Sequence, residues 1–410
     1  MKNRLVSPMV FCFLSYACCS YAQSTLSPYT LFGIGEIDSG NHGINNGMAG
    51  LGIGLQQENV INSANPAALA AIRSKTFAFD MAFSGKTAWY RGQGRKELSF
   101  TGNFDQLAIG FCPTKHWALS AGVTPFSTVG YDIRKMTQVE GSSERIENIF
   151  TGEGGLSKIY LSTAIAITRN LSLGITGSVI WGSTTHTEQS AYWTTENESR
   201  SNSKPYFNFG LQYSKLLNDK FIFTIGATAG YRTALSFHNT TATYDSGGEQ
   251  IIDKVRATSK QYIPESYGAG FSFATRKMII GIDYLFQGWS GIESGSKVIA
   301  YKNMNKWILG VSYTPNIYDV RKYWRQITYQ LGASLNDSYL CVSGSSGMNY
   351  RFTYGMVFPM RNNTSSIYFG MEYGRNSFPI QNNHSIRENY FKFTVGFSFK
   401  DIWFIRYKFD

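Results

Sequence analysis

Serine hydrolysis needs a nucleophile with a histidine base in reach, and the chain holds five histidines: His42, His116, His186, His238 and His384. None accompanies a nucleophile motif. No Gly-x-Ser-x-Gly occurs, and Gly344-Ser345-Ser346-Gly347 has the wrong spacing and reads as a turn. Metal chemistry fares no better, because there is no paired histidine spacing and no cysteine pair to supply thiolates. Glu140, Glu144, Glu147 and Glu153 share one stretch with Arg134, Lys135 and Arg145, which reads as a solvated loop rather than a calcium site. The expectation is a protein that is not an enzyme and carries no metal or cofactor.

The remaining residues of chemical interest lie within 43–72. Asn65-Pro66-Ala67 opens a compact helix signal followed by further alanines. Asn65 can cap it, and Pro66 suits the first helical position, where its missing N–H would be unpaired anyway. Ahead of it, Gly43, Gly47, Gly50, Gly52 and Gly54 give a backbone that bends easily and approaches other chain closely. A short helix on a glycine-rich lead cannot bury itself, so residues 23–74 are expected to form a hatch held inside the rest of the chain. Pro28-Tyr29-Thr30-Leu31-Phe32-Gly33-Ile34-Gly35 would be its extended entry.

Residues 1–22 read as a secretory signal peptide. Lys2 and Arg4 form a basic start, residues 9–17 an apolar core, and Ser20-Tyr21-Ala22 a small-x-small cleavage site. A lipoprotein signal at Cys18 or Cys19 is the competing reading. Losing the leader lowers the formal net charge from +11 to +9, because it removes Lys2 and Arg4 and no acid. Cys112 and Cys341 are then the remaining cysteines, too few for a disulfide framework. The basic residues are spread out, which argues against nucleic acid as a partner. A basic surface suits anionic lipopolysaccharide or anionic solutes.

Residues 75–410 read as strand after strand. Phe77, Phe79, Met81 and Phe83 alternate with Ala78, Asp80 and Ala82, so one face is large and apolar and the other small or charged. The same period of two recurs through Leu107–Phe111, Leu171–Val179, Phe207–Tyr213, Phe221–Ala227, Ile280–Phe286, Trp307–Tyr313, Phe352–Phe358, Ile367–Tyr373 and Phe391–Phe399. A last row is expected at Trp403, Ile405, Tyr407 and Phe409, after a tight turn at Lys400-Asp401. Aromatic residues make up 15% of the chain, and they gather at strand ends as the girdles of a membrane barrel do. A soluble secreted β-protein is the alternative. Tight joins are expected near 113–116, 168–170, 218–220, 276–277, 362–364 and 400–401. Long polar connections are expected at 86–96, 126–155, 186–205, 239–262, 287–304 and 375–387. The prediction is an all-β transmembrane barrel of about 14 antiparallel strands. The doubtful strand is placed near 325–342.

Several stretches together resemble the FadL family of outer-membrane transporters for hydrophobic compounds, in particular its Bacteroidetes-like branch. They are Gly47-Met48-Ala49-Gly50, Glu58-Asn59-Val60 and Asn65-Pro66-Ala67. Others follow at Phe126-Ser127-Thr128-Val129-Gly130-Tyr131, Gly152-Glu153-Gly154-Gly155 and Tyr262-Ile263-Pro264-Glu265, then Asp283-Tyr284 with Trp289, and Glu388-Asn389-Tyr390-Phe391. The chain ends Phe409-Asp410, which departs from the usual terminal aromatic. The resemblance implies a plugged barrel in a Gram-negative outer membrane that takes up hydrophobic solutes such as long-chain fatty acids by diffusion. It implies hatch roles for Gly47, Gly50, Asn65, Pro66 and Ala67. Phe126 and Val129 are candidates for lining a ligand pocket, with Arg134 or Lys158 as the cation for a carboxylate. A monomer is expected, surrounded by outer-membrane lipid and lipopolysaccharide. The alternative function is an anchor or shuttle for a secreted or surface protein.

Overall fold

Large apolar side chains recur at every second position from Thr76 onward, and that period commits the backbone to strands whose faces meet different surroundings. The structure, a computed structural model, describes residues 27–31, 34–38, 42–58, 60–92, 95–138, 141, 143–202, 205–218, 220–292, 299–342, 345–360, 365–379 and 385–403. The expected leader, and most of the expected last row at 403–409, lie outside the described residues.

Fourteen strands form the wall: β1 (Thr76–Gly92), β2 (Arg95–Cys112), β3 (Trp117–Thr128), β4 (Arg145–Ala166), β5 (Leu171–Gln189), β6 (Tyr206–Leu217) and β7 (Phe221–Gly230), then β8 (Glu265–Ala274), β9 (Met278–Gly288), β10 (Met304–Tyr313), β11 (Thr328–Val342), β12 (Ser345–Pro359), β13 (Ser365–Pro379) and β14 (Ser385–Ile402). Each pairs antiparallel with the next, and β1 pairs with β14 from Thr76↔Ile402 to Arg91↔Arg387, which closes the barrel. Closure leaves the wall no free edge. Leu161, Ile165, Leu173, Phe209, Leu309 and Phe369 point outward and are exposed, while the Ala78, Asp80 and Ala82 row is buried inside. Among the described residues no helix is long and apolar enough to cross a membrane, which says nothing of strands.

Several connections differ from expectation. Residues 86–96 form no long loop: β1 continues to Gly92 and β2 starts at Arg95. Lys86 faces the lumen there and meets Glu388, and a strand with such polar residues imitates a loop in sequence. Lys400 and Asp401 do not turn. They continue β14, opposite Ala78 and Phe77. The doubtful region supplies a true strand, β11, so closure is complete without a strand after Trp403. The polar stretches at 126–155, 186–205 and 239–262 are largely strand as well. Tyr131–Gln138, Trp193–Asn202, Thr233–Asp245 and Gln250–Ile263 join the long ends of β4 and β5 in a sheet that projects beyond the barrel.

The core of the molecule is the hatch against the wall. Ile61, Leu69 and Ile72 pack on Ala78, Ala108, Ala118 and Ala164 of β1 to β4, with Tyr160 and Cys112. Met48, Leu51 and Leu55 pack toward Ile308 of β10. Large hatch side chains thus meet small wall side chains, so the two pack closely where they touch.

Candidate functional site: the hatch and a divided lumen

Pro66–Ala71 is a short 3-10 helix rather than an α-helix. Its start follows the local chemistry of the sequence. Asn65, fully buried, accepts from the Ala67 N–H at 3.0 Å through Oδ1. Its Nδ2 donates to the Ile53 carbonyl at 2.9 Å and the Leu211 carbonyl at 3.2 Å. One side chain therefore caps the helix, holds the preceding loop and ties both to β6.

The loop at 52–54 turns three successive amide groups toward one carboxylate. Asp283 of β9 accepts from Gly52 and Ile53 at 2.7 Å each and from Gly54 at 3.1 Å. This is an anion nest of backbone N–H groups, with the wall supplying the anion. Gln212 donates to the Ile53 and Leu55 carbonyls, and Ser272 to the Gly54 carbonyl at 2.6 Å. Across the lumen, Thr353 donates to the Gly47 carbonyl at 2.9 Å and accepts from Ala49 at 2.8 Å. Asn46 donates to Thr394 at 3.0 Å.

The wall accommodates this backbone contact with a belt of inward-facing glycines. Gly174 lies opposite Gly210, Gly226 opposite Gly270, and Gly310 between Gly281 and Gly332. A Cβ on Gly226 would fall on the Ile53 carbonyl, one on Gly210 on the Asn65 side chain, and one on Gly332 against the Met48–Ala49 peptide. Only hydrogen at these positions lets two backbones touch.

Beyond the hatch the lumen is divided by the lead segment. Glu36–Ile37 pairs with Ser127 and Thr128 at the end of β3, and Asp38 donates its N–H to Phe126 O at 3.0 Å. On one side lies a cavity of about 190 Å³ beside the hatch. Ile34, Ile53, Phe126, Ile263, Trp289 and Ile308 supply its apolar lining; Lys158 and Lys306 enter it from β4 and β10, Asp38 and Asp283 also border it, and Lys306 borders the cavity across the segment as well. Neither ammonium has a hydrogen-bond or ion-pair partner among the described residues, although Lys306 is only 5% exposed. On the other side a cavity of about 250 Å³ is lined by charge. Lys86 binds Glu388 at 2.7 Å and Glu36 at 3.5 Å, and Lys392 binds Asp105 at 3.2 Å. Tyr390 donates to Glu372 at 2.7 Å.

The candidate residues fall in different places. Phe126 and Lys158 line the apolar cavity together with Gly50 and Pro66. Val129 is buried beside Gly35. Arg134 lies on the projecting sheet, exposed beside Asp132 at 3.7 Å. Gly47 is pressed against Gly355, while Gly50 sits at φ +80°, a left-handed turn that favours glycine. Gln212, Thr353 and Lys306 were not singled out from the sequence, and neither was the part Asp283 plays in holding the hatch. The available signal for Asp283 is a carboxylate at an inward position in the middle of the apolar run Ile279–Phe286.

Comparison with known proteins follows the same lines. Solved structures with this architecture include a Pseudomonas aeruginosa FadL homologue (TM-score 0.61, 13% identity, 90% of this chain and 100% of that one). The Pseudomonas putida toluene transporter TodX is similar at TM-score 0.60 and 14% identity, covering 92% and 100%. A third is the CymD monoaromatic hydrocarbon channel, at TM-score 0.56 and 13% identity, covering 90% and 99%. At such identities the likeness is one of fold, and it bears out the closed 14-stranded FadL-type barrel. No curated protein matches in sequence. The family model that matches carries a different name from the resemblance read in the sequence: it is BamG, over residues 1–410. A FadL-type barrel whose hatch is bonded to its wall on several sides is thus the form taken here by a chain that belongs to the BamG family.

Proposed function

We propose that this protein is an outer-membrane barrel that admits hydrophobic small molecules bearing one anionic group, long-chain fatty acids among them, to a site beside its hatch. The observation that carries this reading is the apolar cavity with Lys158 and Lys306. Apolar walls with a few placed polar groups are what an amphipathic ligand requires. Lys158 and Lys306 make no direct ion pair among the described residues, so an anionic group would supply one; Asp38 and Asp283 border the same cavity only beyond ion-pair distance. Thr124, 2% exposed and also on the cavity lining, has a hydroxyl with no partner among the described residues and adds a donor. No bond is made or broken in this function. The solutes named for the structural neighbours, toluene and monoaromatic hydrocarbons, belong to the same apolar class.

The test is to purify the barrel in detergent and identify retained small molecules by mass spectrometry, for the parent and for Lys158→Met/Lys306→Met. An apolar monoanion held by the parent and depleted in the variant supports the reading. A parent that retains nothing, and takes up no fatty acid when offered it, would sink it. A second reading, an anchor or shuttle for a secreted or surface protein, is favoured by the fixed hatch and by the sheet that projects beyond the barrel. A hatch tied down on several sides suits a scaffold better than a passage.

A further inference from the structure

The end of the barrel that carries the tight joins presents exposed basic residues at five successive connections. Lys115 lies between β3 and its preceding strand, Arg169 between β4 and β5, Lys220 between β6 and β7, and Arg276 and Lys277 between β8 and β9. All five are exposed, and none of their side chains has a partner among the described residues. The connection between β10 and β11 is longer, spanning residues 314–327, and adds exposed Arg321 and Lys322. Among the described residues of these turns the one acid is Asp319, and Arg325 already holds it at 3.0 Å.

That longer connection also presents apolar surface. Tyr318 is 83% exposed and Val320 93%, with Tyr323 and Trp324 about half exposed. The loop is nonetheless ordered. Asp319 accepts from the Arg321 and Lys322 N–H groups, and Gln326 donates to the Asp319 carbonyl at 2.7 Å. Tyr323 donates to the Pro359 carbonyl at 3.0 Å, and Tyr329 to the Trp324 carbonyl at 3.1 Å. The direction of the last bond matters. Tyr329 belongs to the outward row of β11 with Leu331 and Leu335, and its register partner Tyr313 lies in the outward row of β10. At Trp324 the loop therefore lies on the side of the outer wall.

We propose that this rim is a collar for anionic phospholipid headgroups, with the 314–327 loop as its main contact. The collar rests on the outer-membrane reading given above. Cations spread around a circumference match a ring of lipid, whereas a protein partner would select one sector. Tyrosine and tryptophan on the outer wall beside lysine and arginine are the residues that settle at headgroup level. Basic residues next to a membrane surface draw anionic lipid electrostatically, within about a Debye length.

The test places the full-length barrel in nanodiscs of phosphatidylcholine and phosphatidylglycerol and measures association of spin-labelled forms of each. The expected result is roughly a threefold preference for phosphatidylglycerol at low salt. It should fall by about half in Arg321→Glu/Lys322→Glu and stay unchanged in Arg134→Glu/Lys135→Glu at the opposite end. Electrophoretic heat-modifiability confirms that each variant is folded. An inserted barrel with no preference, or one indifferent to the Arg321/Lys322 reversal, would overturn the collar alone. A preference erased by millimolar inorganic phosphate would mean a free-phosphate site and overturn the lipid assignment. A barrel that fails to insert at all would remove the membrane reading and the collar with it.

Discussion

The wall from β12 through β14 to β1 and β2 pairs Lys86 and Lys392 with acids, while the wall from β3 to β10 carries Lys158 beside apolar side chains, and Lys306 bordering both cavities, without a direct ion pair among the described residues. Both halves border the same lumen, and the Gly35–Asp38 segment runs between them. The paired half has no need of a ligand. Glu388 is fully buried, yet it accepts from Lys86, from Tyr90 at 3.2 Å and from Asn376 at 2.9 Å. The unpaired half leaves a deficit that something from outside the fold would meet. The difference teaches that polarity in a lumen is poor evidence for a binding site. What distinguishes such a site is polar capacity left unused next to apolar surface.

The largest test of that contrast is Asp283→Ala, which acts on the element both halves share. It would leave three hatch amides without their acceptor, at about 1–3 kcal/mol for each orphaned donor and so roughly 3–9 kcal/mol for hatch docking. Exchange of the Gly52–Gly54 amides should accelerate while exchange in the wall stays slow. Equal acceleration everywhere would mean that hatch and wall unfold as one unit. Next is Glu388→Gln, which breaks a buried ion pair from one side and is expected to cost about 3 kcal/mol. Denaturant unfolding should register that loss, with ligand retention unchanged. A loss of bound solute in this variant would erase the distinction between the two halves.

The parts legible in sequence were those with short-range causes. The outward rows show because lipid-facing side chains must be large and apolar at every second position. The Asn65 cap shows because donor and acceptor lie two residues apart. Lumen-facing polar strands were mistaken for loops, as at 86–96, because no single-residue property separates water inside a barrel from water outside. The Asp283 nest joins positions 229–231 residues apart, so nothing local announces it. The glycine belt was visible only as scattered strand glycines, since its meaning depends on register across seven strands.

A smaller effect is expected from Lys158→Met. Loss of one charge-assisted contact should lower solute retention about tenfold. The unfolding midpoint should hold or rise, because a half-buried ammonium with no direct ion pair among the described residues is replaced by a similar apolar chain. Calorimetric melting of the detergent-solubilised barrel, with and without added fatty acid, separates the two. If Lys158→Met destabilised the empty barrel as Glu388→Gln does, both halves would be structural.

The smallest effect concerns the segment that divides the halves. Glu36 faces the charged cavity rather than bulk water. Burial raises its pKa above the usual carboxylate range, with Glu388 and Asp38 adding to the rise and Lys86 opposing it. In a detached segment the same carboxyl would have its ordinary value. The docked state therefore binds a proton more readily, and docking gains strength as pH falls from the raised value toward the ordinary one. Above the raised value that gain is lost, and below the ordinary value it is complete. Exchange of the Asp38 N–H, which donates to Phe126 O, reports the docking once corrected for its intrinsic pH dependence. It should slow modestly across this window in the parent and stay flat in Glu36→Gln. Faster exchange on acidification would instead show that the Lys86 bridge outweighs burial, and that the dividing segment belongs energetically to the charged half.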